Sequence, residues 1–176
     1  CRAVGVDMSF APVLDMGLGL SGVIGDRAFH SNPEVIAELA HSFMQGMQQA
    51  GMVATGKHFP GHGCVREDSH IAQPVDTRAL EDIMLQDMLP FERMMNFGMA
   101  AVMPAHVVYS AVDDKPAGYS SIWLQQILRE QLNFQGVIFS DDLSMQAAGV
   151  AGNFADRAHT ALQAGCDMVL VCNHTQ

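Results

Sequence analysis

Residues 52–63 read Met-Val-Ala-Thr-Gly-Lys-His-Phe-Pro-Gly-His-Gly. The first four form a short apolar run, the pattern of a strand buried on both faces. Lys57 and His58 follow at once, and Gly61 and Gly63 then let the backbone turn sharply. A buried strand that ends on a polar, cationic loop is the upper half of a βα unit. The fold turns on whether the rest of the chain repeats it.

It does. Residues 6–13, 99–103, 137–139 and 168–171 are further candidate strands. Their midpoints fall about 30–50 residues apart, the spacing of successive βα units. Between them lie helical periodicities. Asn32 reads as an N-cap with Pro33 at the first helical position. Val35, Ile36, Leu39, Ala40, Phe43, Met44 and Met47 then recur at helical spacing until Gly51. Ile83, Met84 and Met88 mark a second helix, which Pro90 should break before Gly98 closes the segment. Ser121 opens a third, with Leu124, Ile127 and Leu128 inward. Asn153 caps a fourth, with Ala158, Ala161 and Leu162 inward and Gly165 after it.

Strands alternating with helices predict an α/β fold with a parallel sheet. Two architectures share that pattern, the doubly wound sheet and the (β/α)8 TIM-type barrel. The polar residues favour the barrel. Asp15, Lys57-His58, His106, Asp141-Asp142 and Asn173-His174 each follow a candidate strand, so five strands deliver polar side chains to one rim. A doubly wound sheet gathers its ligand groups at one switch point instead. A whole barrel needs about 250 residues, so 176 residues are expected to supply about strands 3 to 7. The chain opens on Cys1 rather than Met and shows no secretory leader, and is expected to be one partial barrel domain, 1–176, of a longer protein.

Composition narrows the function. The net charge is −10, with nine basic residues scattered among nineteen acidic ones, which argues against nucleic acid as a partner. No run approaches the roughly 18–20 apolar residues of a membrane span. The four cysteines form no C-x-x-C pair and suit a reducing compartment. The thirteen methionines read as core filler.

The densest polar segment runs from Lys57 to Gly63 and on to Asp68-Ser69-His70. Asp68 and His70 are two apart, so in an extended loop their side chains point the same way and can hydrogen-bond. Such a pair either pins a loop or prepares an imidazole for general acid/base work. Asp141 ends an apolar run and is followed by a second carboxylate, Asp142. At a strand end a carboxylate serves as nucleophile, base or metal ligand, or else caps the next turn. We assign the chemistry to Asp141 and the structural role to Asp142. A metal held by His58, His62, His70, His106 or His174 is not expected. No His-x-His or His-Glu-x-x-His occurs, and Lys57 would repel a second cation.

Three co-linear motifs then carry a resemblance. Lys57–Gly63 with Asp68-Ser69-His70, Met103-Pro104-Ala105-His106, and Phe139-Ser140-Asp141-Asp142-Leu143-Ser144-Met145 resemble family 3 of the glycoside hydrolases, in its bacterial β-N-acetylhexosaminidase branch. Phe10–Asp15 and Gly165–Met168 extend the likeness over essentially the whole chain. The resemblance implies a retaining exo-enzyme that removes terminal β-N-acetylglucosamine from small peptidoglycan fragments (GlcNAc-1,6-anhydro-MurNAc muropeptides). It implies Asp141 as nucleophile, His70 as acid/base and Asp68 as its partner. Arg27, Lys57 and His58 match positions that hold the sugar hydroxyls, and Asp15, His106 and Met145 join the sugar site. A retaining glycosidase usually sets two carboxyl groups about 5–5.5 Å apart; here an imidazole, with an ordinary pKa of about 6.5, takes the place of one. No cofactor is implied. A cytoplasmic monomer is expected, acting in cell-wall recycling. Two rivals are an enzyme that uses the substrate's own acetamido group beside Asp141-Asp142, and an inactive barrel that only binds glycans.

Overall fold

The structure is a computed structural model and describes residues 1–66, 69 and 72–172. Among these, five parallel strands form one sheet: β1 (Met8–Ser9), β2 (Val53–Phe59), β4 (Ala101–Pro104), β6 (Val137–Asp142) and β7 (Met168–Leu170), in that spatial order. Two further short strands, β3 (Val75–Asp76) and β5 (Val108–Tyr109), pair parallel with each other in a separate ribbon. In the main sheet each strand lies beside the next one along the chain, apart from that ribbon. Among the described residues no reversal of strand order occurs, so these strands form no switch point and wind in one direction.

The strand expected over residues 6–13 is correctly placed but broken. Met8 and Ser9 pair with Val53 and Ala54. Further along, Thr55 donates to Ala11 O, Lys57 to Pro12 O, and Leu14 back to Lys57 O. The segment follows β2 throughout, but Pro12 has no N–H to give, and the ladder shrinks to an isolated bridge between Val13 and Lys57. β2 and β6 run longer than expected. Lys57 and His58 therefore lie inside β2, just before its last residue Phe59, and Asp141 and Asp142 end β6, rather than opening loops.

The helices follow their sequence signals, with corrections at the edges. In α1 (Pro33–Gln49) the Asn32 side chain accepts the N–H groups of Glu34 and Val35. Its buried stripe is Ile36, Ala37, Ala40 and Met44, whereas Leu39 and Phe43 stay exposed. Pro90 does not end a helix but begins one. α2 (Leu80–Leu85) stops early, and α3 (Leu89–Asn96) starts with Pro90 in its first turn, where the missing N–H costs nothing. Ile83 and Met88 are buried there, and Met84 is not. Leu124, Ile127 and Leu128 point inward from a π-type helix, Ile122–Gln131. In α4 (Phe154–Ala164) Asn153 and Asp156 form a capping box, and Ala161 and Ala164 are buried while Leu162 is exposed.

Both sheet faces are apolar, as a parallel sheet requires. On β4 the side chains alternate. Val102 joins the large core under the helices with Leu14, Phe59, Phe91, Trp123 and Ile138. Ala101 and Met103 turn the other way, against Phe139, Met8, Phe10 and Leu170. The Phe10 and Phe139 rings meet edge to face at 5.3 Å between centroids. The larger core reaches the rim through Tyr109, whose ring lies 5.1 Å from Trp123 and whose hydroxyl donates to Gly61 O at 2.8 Å.

Candidate active site

The rim is assembled around Asp15. This carboxylate is 1% exposed. Its Oδ2 accepts the His58 ring Nδ1–H at 2.7 Å, and its Oδ1 accepts the His62 backbone N–H at 2.7 Å. The His58 backbone N–H lies 3.3 Å from both oxygens. Burial alone would raise the Asp15 carboxyl; the His58 imidazole and the His62 amide outweigh it and hold the group below its ordinary value. The bond to Asp15 fixes the His58 tautomer and leaves Nε2 to face outward. Gly61 and Gly63 are where the chain needs them. Gly61 has φ +148° and a side chain there would meet Asp87 at 2.6 Å, while one on Gly63 would run into the Met16 carbonyl.

Replacing Asp15 by Ala should therefore cost more than any other rim substitution in stability. It strands three buried donors, at about 3–5 kcal/mol. Because the carboxyl is depressed in the folded protein, its contribution is complete above the unfolded value of about 3.9 and fades as pH falls through the folded one. Urea midpoints of the full-length protein should differ widely between wild type and variant at pH 7, and converge in acid. Equal midpoints at pH 7 would refute the role.

A pocket of about 130 Å3 opens beside this frame. Lys57, His58 and Asp141 enter it from β2 and β6, and Arg27 and Val23 from the loop after Asp15. His62, Ser69 and Met145 complete the wall. Arg27 is anchored by its own loop, its Nε and Nη2 donating to Val23 O at 3.0 and 2.6 Å. Burial lowers the Lys57 ammonium; the Asp141 carboxylate opposes that shift and the Arg27 charge adds to it. The pocket thus offers two cationic donors, two imidazoles, a hydroxyl and one carboxylate. A larger cavity, about 450 Å3, lies at the other end of the sheet beside residues that precede β4 and β6, and no charged side chain lines it.

The two adjacent carboxylates part company. Asp141 lines the pocket, and its Oδ1 accepts the Asp142 N–H at 2.8 Å. Asp142 commits its oxygens to two backbone amides and the Ser144 hydroxyl. Oδ1 accepts Ser144 N–H at 2.8 Å and Cys172 N–H at 2.9 Å, and Oδ2 accepts the Ser144 hydroxyl at 2.6 Å. Burial pushes the Asp142 carboxyl up, and these donors bring it below its ordinary value.

Of the sequence-predicted residues, Arg27, Lys57, His58, Asp141 and Met145 meet in one pocket. Asp15 sits behind it as the anchor of His58. His106, expected among the sugar ligands, is 1% exposed, does not line the pocket, and places its Nε2 3.2 Å from the Asp142 carbonyl. Asp68 and His70 lie outside the described residues, as do Asn173 and His174. Sequence reasoning missed Val23 and Ser69, and weighed His62 only as a metal ligand. His62 faces the Ser69 hydroxyl through Nε2 at 3.2 Å, and its Nδ1 has no hydrogen-bond partner among the described residues. Burial lowers its pKa, against the pull of Asp15, which keeps the ring neutral. Only its place in a Gly-His-Gly turn after a strand could have marked it. Among the described residues no group of three or more His, Cys, Asp or Glu is placed to hold a metal ion, and no helix is long and apolar enough to cross a membrane.

The sequence matches the glycosyl hydrolase family 3 N terminal domain over residues 1–176. It is 67% identical over 175 residues to a beta-hexosaminidase of Thioalkalivibrio sulfidiphilus, covering 99% of this chain and 50% of that protein. The chain spans about half the length of the curated relatives it matches. The crystal structure of NagZ from Neisseria gonorrhoeae in complex with N-trifluoroacetyl-D-glucosamine superposes with a TM-score of 0.91 at 54% identity, over 98% of this chain and 49% of that one. The same protein in complex with zinc ion gives 0.87 at 52% identity, over 98% and 48%.

Proposed function

Since the chain belongs to family 3 of the glycoside hydrolases, we propose that it forms part of the catalytic barrel of a retaining β-N-acetylglucosaminidase. The observation that carries this reading is the division of labour at the end of β6. Asp141 alone turns its carboxylate toward a small pocket rich in hydrogen-bond donors, while Asp142 is consumed by the backbone. A nucleophile needs that exposure. An enzyme relying on the substrate's acetamido group and two adjacent carboxylates would need Asp142 free as well.

In this mechanism Asp141 attacks the anomeric carbon while His70, paired with Asp68, protonates the leaving oxygen. His70 then deprotonates the water that releases the sugar. Arg27 and Lys57 donate to hydroxyls, and His58 is held for the same task by Asp15. The single-direction sheet supplies about strands 3 to 7 of an eight-stranded barrel. The amino-sugar ligand of the Neisseria gonorrhoeae protein supports N-acetylglucosamine as the glycone. Small muropeptides as substrates, a cytoplasmic monomer and independence of cofactors complete the proposal.

The test is turnover by the full-length protein. A chromogenic N-acetylglucosaminide should be cleaved and the matching glucoside scarcely so. Absence of cleavage by a folded protein would favour a glycan-binding barrel. Within that protein, Arg27→Ala and Lys57→Ala should each weaken N-acetylglucosamine binding by about 1–3 kcal/mol, because each removes a donor from a polar partner. Calorimetric dissociation constants unchanged in both variants would count against the sugar site.

A further inference from the structure

The turn that follows Asp141 is held by three elements of the fold. The Asp142 carbonyl accepts from His106 Nε2 at 3.2 Å. Leu143 N–H donates to Leu170 O at 2.8 Å, and Leu143 O accepts from Arg157 Nη1 at 2.6 Å. The Asp142 carboxylate takes the N–H groups of Ser144 and Cys172. Asp142 N–H points back to Asp141 Oδ1, and Met145 N–H donates to the Asp142 carbonyl at 3.2 Å beside His106. The loop after β4, the end of β7 and helix α4 thus converge on two peptide units.

We propose that His106 and Arg157 are positioning residues for Asp141. They lock the 142–143 backbone so that the Asp142 amide holds Asp141 Oδ1 and leaves Oδ2 as the attacking oxygen. The inference rests on the proposed role of Asp141. In the step it serves, the bond from Oδ2 to the anomeric carbon forms. The glycosidic C–O bond breaks, and the leaving oxygen takes the acid's proton. His106 is suited to hold rather than to bind. It is buried, its Nε2 meets a carbonyl and so must carry the hydrogen, and its Nδ1 has no hydrogen-bond partner among the described residues. Burial lowers its pKa against the attraction of Asp141, and the neutral ring satisfies the carbonyl without adding charge beside the nucleophile. Arg157 braces the next carbonyl and ties itself to Gly152 O at 2.7 Å.

The experiment compares His106→Ala, His106→Gln and Arg157→Ala in the full-length protein. Misplacing a reacting group by about 1 Å costs about 10²-fold. His106→Ala is expected to lower kcat on a nitrophenyl N-acetylglucosaminide between about tenfold and that limit. The dissociation constant for N-acetylglucosamine should stay the same, since His106 does not line the pocket. His106→Gln, whose amide can donate where Nε2–H did, should recover most of kcat. Arg157→Ala should lower kcat in the same sense with binding unchanged, and decides the matter if His106→Ala does not fold. A dissociation constant that rises in step with the fall in kcat would make His106 a sugar ligand and overturn the proposal. So would a folded His106→Gln as slow as His106→Ala, or an Arg157→Ala with wild-type kcat. Labelling of wild-type Asp141 by a 2-fluoro amino sugar separates the two ideas. Without it the nucleophile assignment fails; with it, unchanged kcat in the variants sinks only the positioning role.

Discussion

Asp141→Asn in the full-length protein is expected to lose turnover by about 10³-fold or more, the scale on which catalytic nucleophiles are lost, while its melting temperature barely moves. Asn has the same shape and keeps an oxygen for the Asp142 N–H, so the turn after β6 survives. What disappears is the negative charge proposed to attack the anomeric carbon, which also stabilises the Lys57 ammonium against burial. Sugar binding should therefore persist even as chemistry stops. Single-turnover kinetics with N-acetylglucosamine calorimetry beside them make the distinction. Activity within threefold of wild type would remove Asp141 as the nucleophile.

The second large effect concerns His70. A general acid contributes about 10²–10⁴-fold, and most when the leaving group is poor. A nitrophenolate leaves with little help, whereas a sugar alkoxide does not. His70→Ala should lose far more rate on a natural disaccharide than on a nitrophenyl sugar in the bond-breaking step. The hydrolytic step then lacks its base, so the covalent sugar should accumulate on Asp141. The trace is an initial burst of nitrophenol followed by slow turnover. Azide needs no base and should speed release as a glycosyl azide. Asp68→Ala should behave alike but more mildly, because in the proposed dyad it leaves the imidazole in place and removes only its partner. Equal slowing of both substrates, with no response to azide, would defeat the assignment.

Much of the frame was legible because its signals are local. Asn32 and Asn153 cap helices through their own side chains, and the apolar runs at β2, β4, β6 and β7 fall where expected. What was not legible depends on neighbours distant in sequence. The width of a helix's buried stripe is set by what it packs against, so periodicity included Leu39, Phe43 and Leu162 although the structure leaves them exposed. The β3 and β5 strands, two residues each, exist only because they pair with each other. A polar residue after a strand can be read from the sequence, but its direction cannot. Asp15 and His106 both lie near the rim, and both turn inward to hold neighbours rather than outward to the pocket. Val23 carries no signal at all, since its place is fixed by the loop that Arg27 folds back upon.

Asp15 also shapes how this site can change over evolutionary time. Its bonds join the stretch after β1 to the His58 ring near the end of β2 and to the His62 backbone N–H in the loop beyond. Within that trio, substitutions at Asp15 and His58 will not be independent, whereas His62 bonds through its backbone N–H and keeps it with any side chain but proline. Once Asp15 or His58 is lost, the other has less left to lose, and a replacement at one is tolerated only with a fitting change at the other. Drift through these two positions must be concerted. Arg27 is different, since the hydrogen bonds that anchor it run to the carbonyl of Val23, four residues back in its own loop. It can be exchanged without disturbing the trio, which makes the Val23–Arg27 side of the pocket the place where a new sugar preference could arise by single steps.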